Sequence, residues 1–568
     1  MVRSLTARLS EDLCRRVLDL YLEDDVKRLL GPTILFPALV AGMLLGCILN
    51  PQPAPTARPS PTAATVPGTL PPATPTAAPA TPTVEPRSTV ASEATFVAPP
   101  FDWANLAPYQ SAMRPEFAAD VDQFVDATRY WIDLYVDVDR RTLSGVEQVR
   151  YTNHETESLT EIVFRLLPGT PGYGGSMTVS SVTVDGITTS PALTTGGSAL
   201  YVPLVSPLLP GESIELGLRF EGAFPSDAAD TDPPLAGYAQ YGYIDRVLAL
   251  PNAYPMIPVY DDEGWNVELA ATFGDATFTD TSLYLVRITL PVDMVLATSG
   301  VTLDRRDNGD GTATCLCASG PMRDFGLVAS ADYGTVSTKV GKVLVTAYIL
   351  PGDREGGERV LDYAAQSLRI YEQILGPYPY TELDVMATPT KAGGIEYPGL
   401  IVVAARLYTQ VGGFFEWATV HEVAHQWWYS LVGNDQLDEP WLDEALTQYT
   451  SLLYVEHRYG EEAAQKALEN VFQEPYRHVL ENEQDMPVGL PVAAYPQDLY
   501  GSVVYGKGPL FFHAMRQQVG DETFYRILSS YLEEYRYGVA YPQDLLSVAE
   551  RVSGQELDAL YERWILGK

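Results

Sequence analysis

Basic residues are scarce: 37 lysines and arginines stand against 73 aspartates and glutamates, a formal net charge of −36 over 568 residues. A surface of that sign repels phosphate, which argues against nucleic acid as a partner and otherwise serves solubility. Cysteine is scarcer still. Cys14, Cys47, Cys315 and Cys317 are all there are, with no long-range pairing pattern of a disulfide scaffold. Cys315 and Cys317 stand two apart in a strand-like segment, so they face one way and read as small core residues, not as a structural zinc site. Histidine occupies six positions, and no repeat period is visible. An uncharged run long enough to approach a membrane span occurs from Pro32 to Leu49.

The length allows about three or four domains. Residues 1–30 mix Arg3, Arg8, Arg15, Arg16, Lys27 and Arg28 with acids, place Leu13, Val17, Leu20 and Tyr21 at helical spacing, and read as a cytoplasmic segment. Residues 31–49 read as a membrane anchor or a lipoprotein-type signal. The run is near the roughly 17-residue minimum for a span, and Leu44 to Cys47 resembles a lipoprotein box that would lipidate Cys47. Basic residues precede the run and only Arg58 and Arg87 come after it before residue 100. That bias places the remainder outside the cell membrane, extracytoplasmic and tethered. Residues 50–100 are Pro, Thr and Ala, a composition that cannot bury enough apolar surface to order itself, and form a disordered stalk.

From 101 to 348 short runs alternate apolar and polar residues. Tyr130, Ile132, Leu134, Val136 and Val138 are one example; Ile214 to Phe220 and Tyr284 to Leu290 are others, and Asn308 to Gly311 is a hairpin turn. The pattern predicts a large antiparallel β domain. Beyond Pro351 the period becomes helical, with Leu361, Ala364, Leu368, Tyr371 and Leu375 marking one face that ends at Gly376 and Pro377. Residues 349–568 are expected to form a mainly helical domain with a small sheet, of which Leu400 to Ala404 is the one visible strand.

Glu416 to Leu431 reads as a helix on Trp417, Val420, Ala424, Trp428 and Leu431, and carries HEVAH at 421–425. His421 and His425 are four apart, so their imidazoles share a helix face and can reach one zinc ion at about 2.0–2.1 Å. Glu422, about 100° round the helix, cannot join them but can contact a water held there, the place of a general base. Glu444, separated from His425 by eighteen residues, opens a second helix with Ala445, Leu446, Tyr449, Leu452 and Leu453 on its apolar face. It supplies the third protein ligand that an open catalytic site requires. His154, His457, His478 and His513 have no ligand-like partners, and Trp427 and Trp428 read as packing beside the metal helix.

These residues resemble the gluzincin zinc metallopeptidases typified by aminopeptidase N and leukotriene hydrolase. HEVAHQWW and WLDEALTQY are similar to the two zinc helices of that family, GGIEYPGL at 393–400 to its exopeptidase motif, and Tyr505 to Gly508 to its Tyr-x-Lys-Gly. The resemblance implies a thermolysin-like catalytic domain, one zinc ion on His421, His425 and Glu444, and Glu422 as catalytic base. It further implies Tyr505 as oxyanion donor, Glu396 as the carboxylate for a peptide's free α-amine, and Gly393, Gly394 and Ile395 as a backbone ledge. Ile395 stands where the family has Met, Tyr397 where it has Asn, and Asp443 where it usually has Asn.

The expected function is a zinc metallopeptidase acting on peptides, as an aminopeptidase. Alternatives on the same fold are a zinc endopeptidase, an epoxide-type hydrolase, and a non-catalytic peptide-binding or scaffold ectodomain. The chain ends 63 residues past Tyr505, from which an open cleft accepting longer peptides is expected. Oligomeric state is left open.

Overall fold

The computed structural model describes residues 88–89, 101–194, 196–226 and 241–568. The expected cytoplasmic segment, the Pro32–Leu49 run with Cys47 and nearly all of the stalk lie outside the described residues, among which no helix is long and apolar enough to cross a membrane.

The alternation in the first half is realised as an eight-stranded sheet. Its order is Val301–Asp307, Thr312–Ala318, Leu283–Pro291, Arg129–Asp137, Thr142–Thr152, Ser213–Ala223, Ser176–Val184 and Ile187–Thr189. Neighbours run antiparallel except Leu283–Pro291 on Arg129–Asp137, a parallel pair that alternation alone could not reveal. Tyr130, Ile132, Leu134 and Val136 are buried, as are Ile214, Leu216, Leu218 and Phe220, in one core with Ile162, Phe164, Leu200 and Val202 of a second, four-stranded sheet. Each such aliphatic side chain contributes about 1.5–3 kcal/mol on full burial. Cys315 and Cys317 are buried and free, on the inward face as expected. The Asn308–Gly311 turn joins two paired strands.

Beyond residue 349 the helical period holds. Helix α1, Arg354–Ile374, buries Val360, Ala364, Leu368 and Tyr371. The sheet beside it is larger than the one visible strand. Five strands lie in the order Gly334–Val340, Val343–Ile349, Glu382–Thr388, Leu400–Ala404 and Gly394–Ile395, so the sheet takes strands from both sides of residue 349. Glu382–Thr388 and Leu400–Ala404 are central and almost wholly buried. Strands covered on both faces lose the alternation by which sequence reveals them. Gly394–Ile395 is the edge strand.

Helix α2 is Gly413–Ala424 and helix α3 Glu444–Tyr459. The expected helix through Leu431 stops earlier, with His425 as its C-cap. The chain turns there because Ser430 N–H donates to the His425 carbonyl at 3.0 Å and Tyr429 takes φ 137°. Trp427 and Trp428 are therefore buried in the turn, where Trp428 Nε1 donates to Thr450 Oγ1 at 2.8 Å. Arg323 clasps this turn to the β half: its guanidinium donates to the carbonyls of Tyr429 at 2.7 Å, Thr279 at 3.1 Å, and Gly538.

Glu147 is fully buried in strand Thr142–Thr152, between Ile132 and Leu218 on the neighbouring strands, and neither carboxyl oxygen has a hydrogen-bond partner. Burial holds its pKa well above the usual carboxylate value. A group whose folded pKa is raised stabilises fully below its unfolded pKa and loses that contribution as pH climbs towards the folded value. Glu147→Leu is therefore expected to raise the unfolding free energy more at pH 8 than at pH 4, by about 1–3 kcal/mol at the higher pH, as measured by calorimetry.

Candidate metal and peptide-binding site

Helix α2 presents His421 and His425 one turn apart, and α3 begins with Glu444 facing both. His421 Nε2 lies 3.1 Å from Glu444 Oε2, His425 Nε2 3.4 Å from the same oxygen, and the two Nε2 atoms are 3.1 Å apart. Ligands about 2.0–2.1 Å from a tetrahedral ion are separated by roughly 3.3 Å. The three donors are thus spaced to share one ion. His425 is oriented from behind, its Nδ1 lying 2.9 Å from the Trp428 carbonyl and 3.2 Å from Thr447 Oγ1. Such a contact fixes the tautomer and leaves Nε2 for the ion.

Glu422 is buried and points the other way from α2, against the edge strand. A Cβ on Gly394 would fall 2.4 Å from its Oε1, so only glycine lets this carboxylate lie along the strand. Ile395 pairs with Val402 and Gly394 with Val403, leaving the opposite edge of this short strand unpaired in the sheet. Gln426, just past α2, fixes the loop after that strand: its Nε2 donates to the carbonyls of Glu396 and Tyr397 at 3.4 and 3.3 Å, and its Oε1 accepts from Gly399 N–H at 2.8 Å.

Glu396 is buried at the start of this loop, where Gln436 Nε2 donates to its Oε1 at 3.3 Å and to Asp443 Oδ2 at 2.7 Å. Asn434 donates to the other oxygen of Asp443 at 3.2 Å. Asp443 is thereby held by two amides, a network that sequence reading missed because neither amide belongs to a recognisable motif. Tyr505 stands on a π-helical turn, Val503–Lys507, and donates its hydroxyl to Glu444 Oε1. Lys507, buried, anchors that turn on Asp485 Oδ1 at 2.7 Å and the Met486 carbonyl at 2.8 Å. Gly508 lets the next helix, α4, Gly508–Val519, approach α3: a Cβ there would sit 2.6 Å from that of Ala445. His421, His425, Glu444 and Tyr505 are thus in mutual contact, Glu396 joins them through Gln436 and Asp443, and Glu422 lies against Gly394 beside them, whereas the Ile395 side chain packs into a separate apolar cluster. Of the other four histidines, none joins a metal-binding group among the described residues.

The electrostatics are those of an acidic pocket. Burial, then the Glu396 charge, holds Glu422 well above the usual carboxylate range, and burial raises Glu396 against the opposing pull of His425. Burial and the adjacent Glu444 push Asp443 up to about 7. Burial opposes a charged His425, but the carboxylates of Glu396, Glu444 and Glu422 outweigh it and raise its pKa. Glu444 goes the other way: burial is outweighed by its contacts with both histidines, and its pKa is lowered.

This arrangement is the fold of the M1 zinc metallopeptidases. The structure superposes on that of the M1 zinc metallopeptidase from Deinococcus radiodurans with a TM-score of 0.59 at 22% identity, covering 77% of this chain and 93% of that one. Residues 359–564 match the peptidase family M1 domain, in agreement with the resemblance read from HEVAH and Glu444. Aminopeptidase M1-B of Oryza sativa subsp. japonica is 28% identical over 249 residues, 42% of this chain and 28% of its own length. Aminopeptidase M1 of Arabidopsis thaliana is 26% identical over 296 residues, 50% of this chain and 33% of its own. The matched region spans about a third of those curated relatives or less.

Proposed function

We propose that this chain is a zinc-dependent aminopeptidase: one zinc ion on His421, His425 and Glu444, and removal of N-terminal residues from peptides. The observation that carries the reading is the meeting of two imidazole nitrogens and a carboxylate oxygen within 3.4 Å of one another, beside a glutamate that takes no part in that triad. A zinc ion bound there supplies Lewis acidity for the scissile carbonyl and for a nucleophilic water. The residues do the rest. Glu422 takes the proton of the attacking water on its carboxylate and returns it to the leaving amine. Tyr505 turns its O–H from Glu444 to the oxygen on which charge develops. The free edge of Gly394–Ile395 accepts the peptide backbone as an added strand, with Gly393 leading into it. Glu396, the residue that follows that strand, pairs with the α-ammonium, which favours exopeptidase action over internal cleavage.

The proposal extends to placement. The basic residues before Pro32 and the uncharged stretch to Leu49 support a catalytic part held outside the cell membrane by an anchor or by lipidated Cys47.

Glu422→Gln is expected to keep one zinc per chain by elemental analysis while losing about 10²–10⁴-fold in hydrolysis of aminoacyl 4-nitroanilides. Wild-type protein that holds no zinc and hydrolyses nothing would overturn the assignment in favour of a scaffold, and hydrolysis undiminished in this variant would remove Glu422 from the role of base. Tyr505→Phe is expected to lower kcat about 10²–10³-fold with KM little changed. Peptides acetylated at the N-terminus should resist cleavage in a mass-spectrometric digest; efficient cutting within them would replace the aminopeptidase reading with the endopeptidase one.

A further inference from the structure

The recognition end of the site contains one more carboxylate than a single α-ammonium requires. It comes from the β half, from the non-strand segment between Gly264–Trp265 and Leu283–Pro291. That segment is docked on the catalytic wall: the Phe273 ring packs on Tyr500 at 5.2 Å, Tyr500 on Tyr505 at 5.8 Å, and Tyr505 on His421 at 6.0 Å. Two residues along from Phe273, Asp275 has its Oδ2 buried without a hydrogen-bond partner. Burial raises its pKa first, and the charges that add to this are those of Glu396, then Glu444 and Asp443, with His425 opposing. Asp275 is therefore within electrostatic reach of Glu396, on the segment that packs through Phe273 against Tyr500 and Tyr505.

Its neighbours are already engaged. Asp443 is held by Gln436 and Asn434, Glu444 by the two histidines, and Glu396 by Gln436 on one oxygen. Glu396, as the partner of the α-ammonium, uses up one positive charge of the ligand, and the role of Asp275 rests on that reading of Glu396. The Oδ2 of Asp275 then remains buried without a partner, a costly state for a charged carboxylate unless a second cation arrives or the carboxyl stays protonated. An ammonium or guanidinium on the same ligand would meet it with a charge-assisted hydrogen bond.

We propose that Asp275 is a specificity-determining residue that selects peptides whose first residue carries a second positive charge, lysine or arginine. The test compares L-lysine with L-norleucine, which has the same chain but no ε-ammonium, by titration calorimetry on the zinc-loaded full chain. Lysine is expected to bind at least about tenfold more tightly than norleucine to the wild type. In Asp275→Asn that ratio should fall to near one with norleucine affinity unchanged, and Asp275→Glu should restore part of it. Equal binding of the two amino acids to the wild type overturns the proposal, as does a ratio that survives Asp275→Asn. A parallel loss of norleucine binding also overturns it and makes Asp275 a partner of the α-ammonium instead. Lysyl and norleucyl 4-nitroanilides are assayed alongside: hydrolysis of neither, with the binding ratio intact, would sink the peptidase reading while leaving this selection standing.

Discussion

Carboxylates buried together repel, and the centre of this protein buries Glu396, Glu422, Asp443 and Glu444 round one space, with Asp275 at its margin. The charged groups that act on them are chiefly one another and two histidines. Such a cluster is tolerable where some of the carboxyls stay protonated, as their raised pKa values favour, or where positive charge is brought in from outside the chain, as by a metal ion. The rest of the architecture serves to hold these acids in place while they wait.

The holding is done by backbone. The edge strand Gly394–Ile395 positions Glu396 and gives Glu422 room, the end of α2 positions both histidines, and the first residue of α3, Glu444, meets both of them. Arg323 joins the two halves by filling three carbonyls with one guanidinium, so the β half can bring the Phe273–Asp275 segment to the catalytic wall. Buried backbone oxygens satisfied in this way are as binding a constraint as packed side chains.

How much of the fold and site was legible in the sequence depended on whether the signal was local. The imidazole pair, Glu444, Glu396 and Tyr505 lie in short motifs with fixed spacing, and the structure gathers all of them. The inward faces of the β half were visible through alternation, and the buried Cys315 and Cys317 with them. Glu382–Thr388 was not, because a strand covered on both faces has no polar side to betray it. The early end of α2 escaped because Trp428 and Leu431 continue a helical period that the Ser430–His425 hydrogen bond breaks. Asp275, Asn434 and Gln436 have no motif at all: their roles come from contacts between segments far apart in the chain, or from a loop with no period to read.

The π-helical turn under Tyr505 has a consequence for how this region can change. An α-helix with one residue inserted relaxes into such a turn, so the direction of the phenol is fixed by the number of residues between Ser502 and Gly508 as much as by their identity. Removing one residue between Ser502 and Tyr505 would restore ordinary helical winding and rotate the ring about 100° away from Glu444. Substitutions can accumulate along this stretch, but its length is locked, held at one end by the salt bridge of Lys507 and at the other by the aromatic packing of Tyr500.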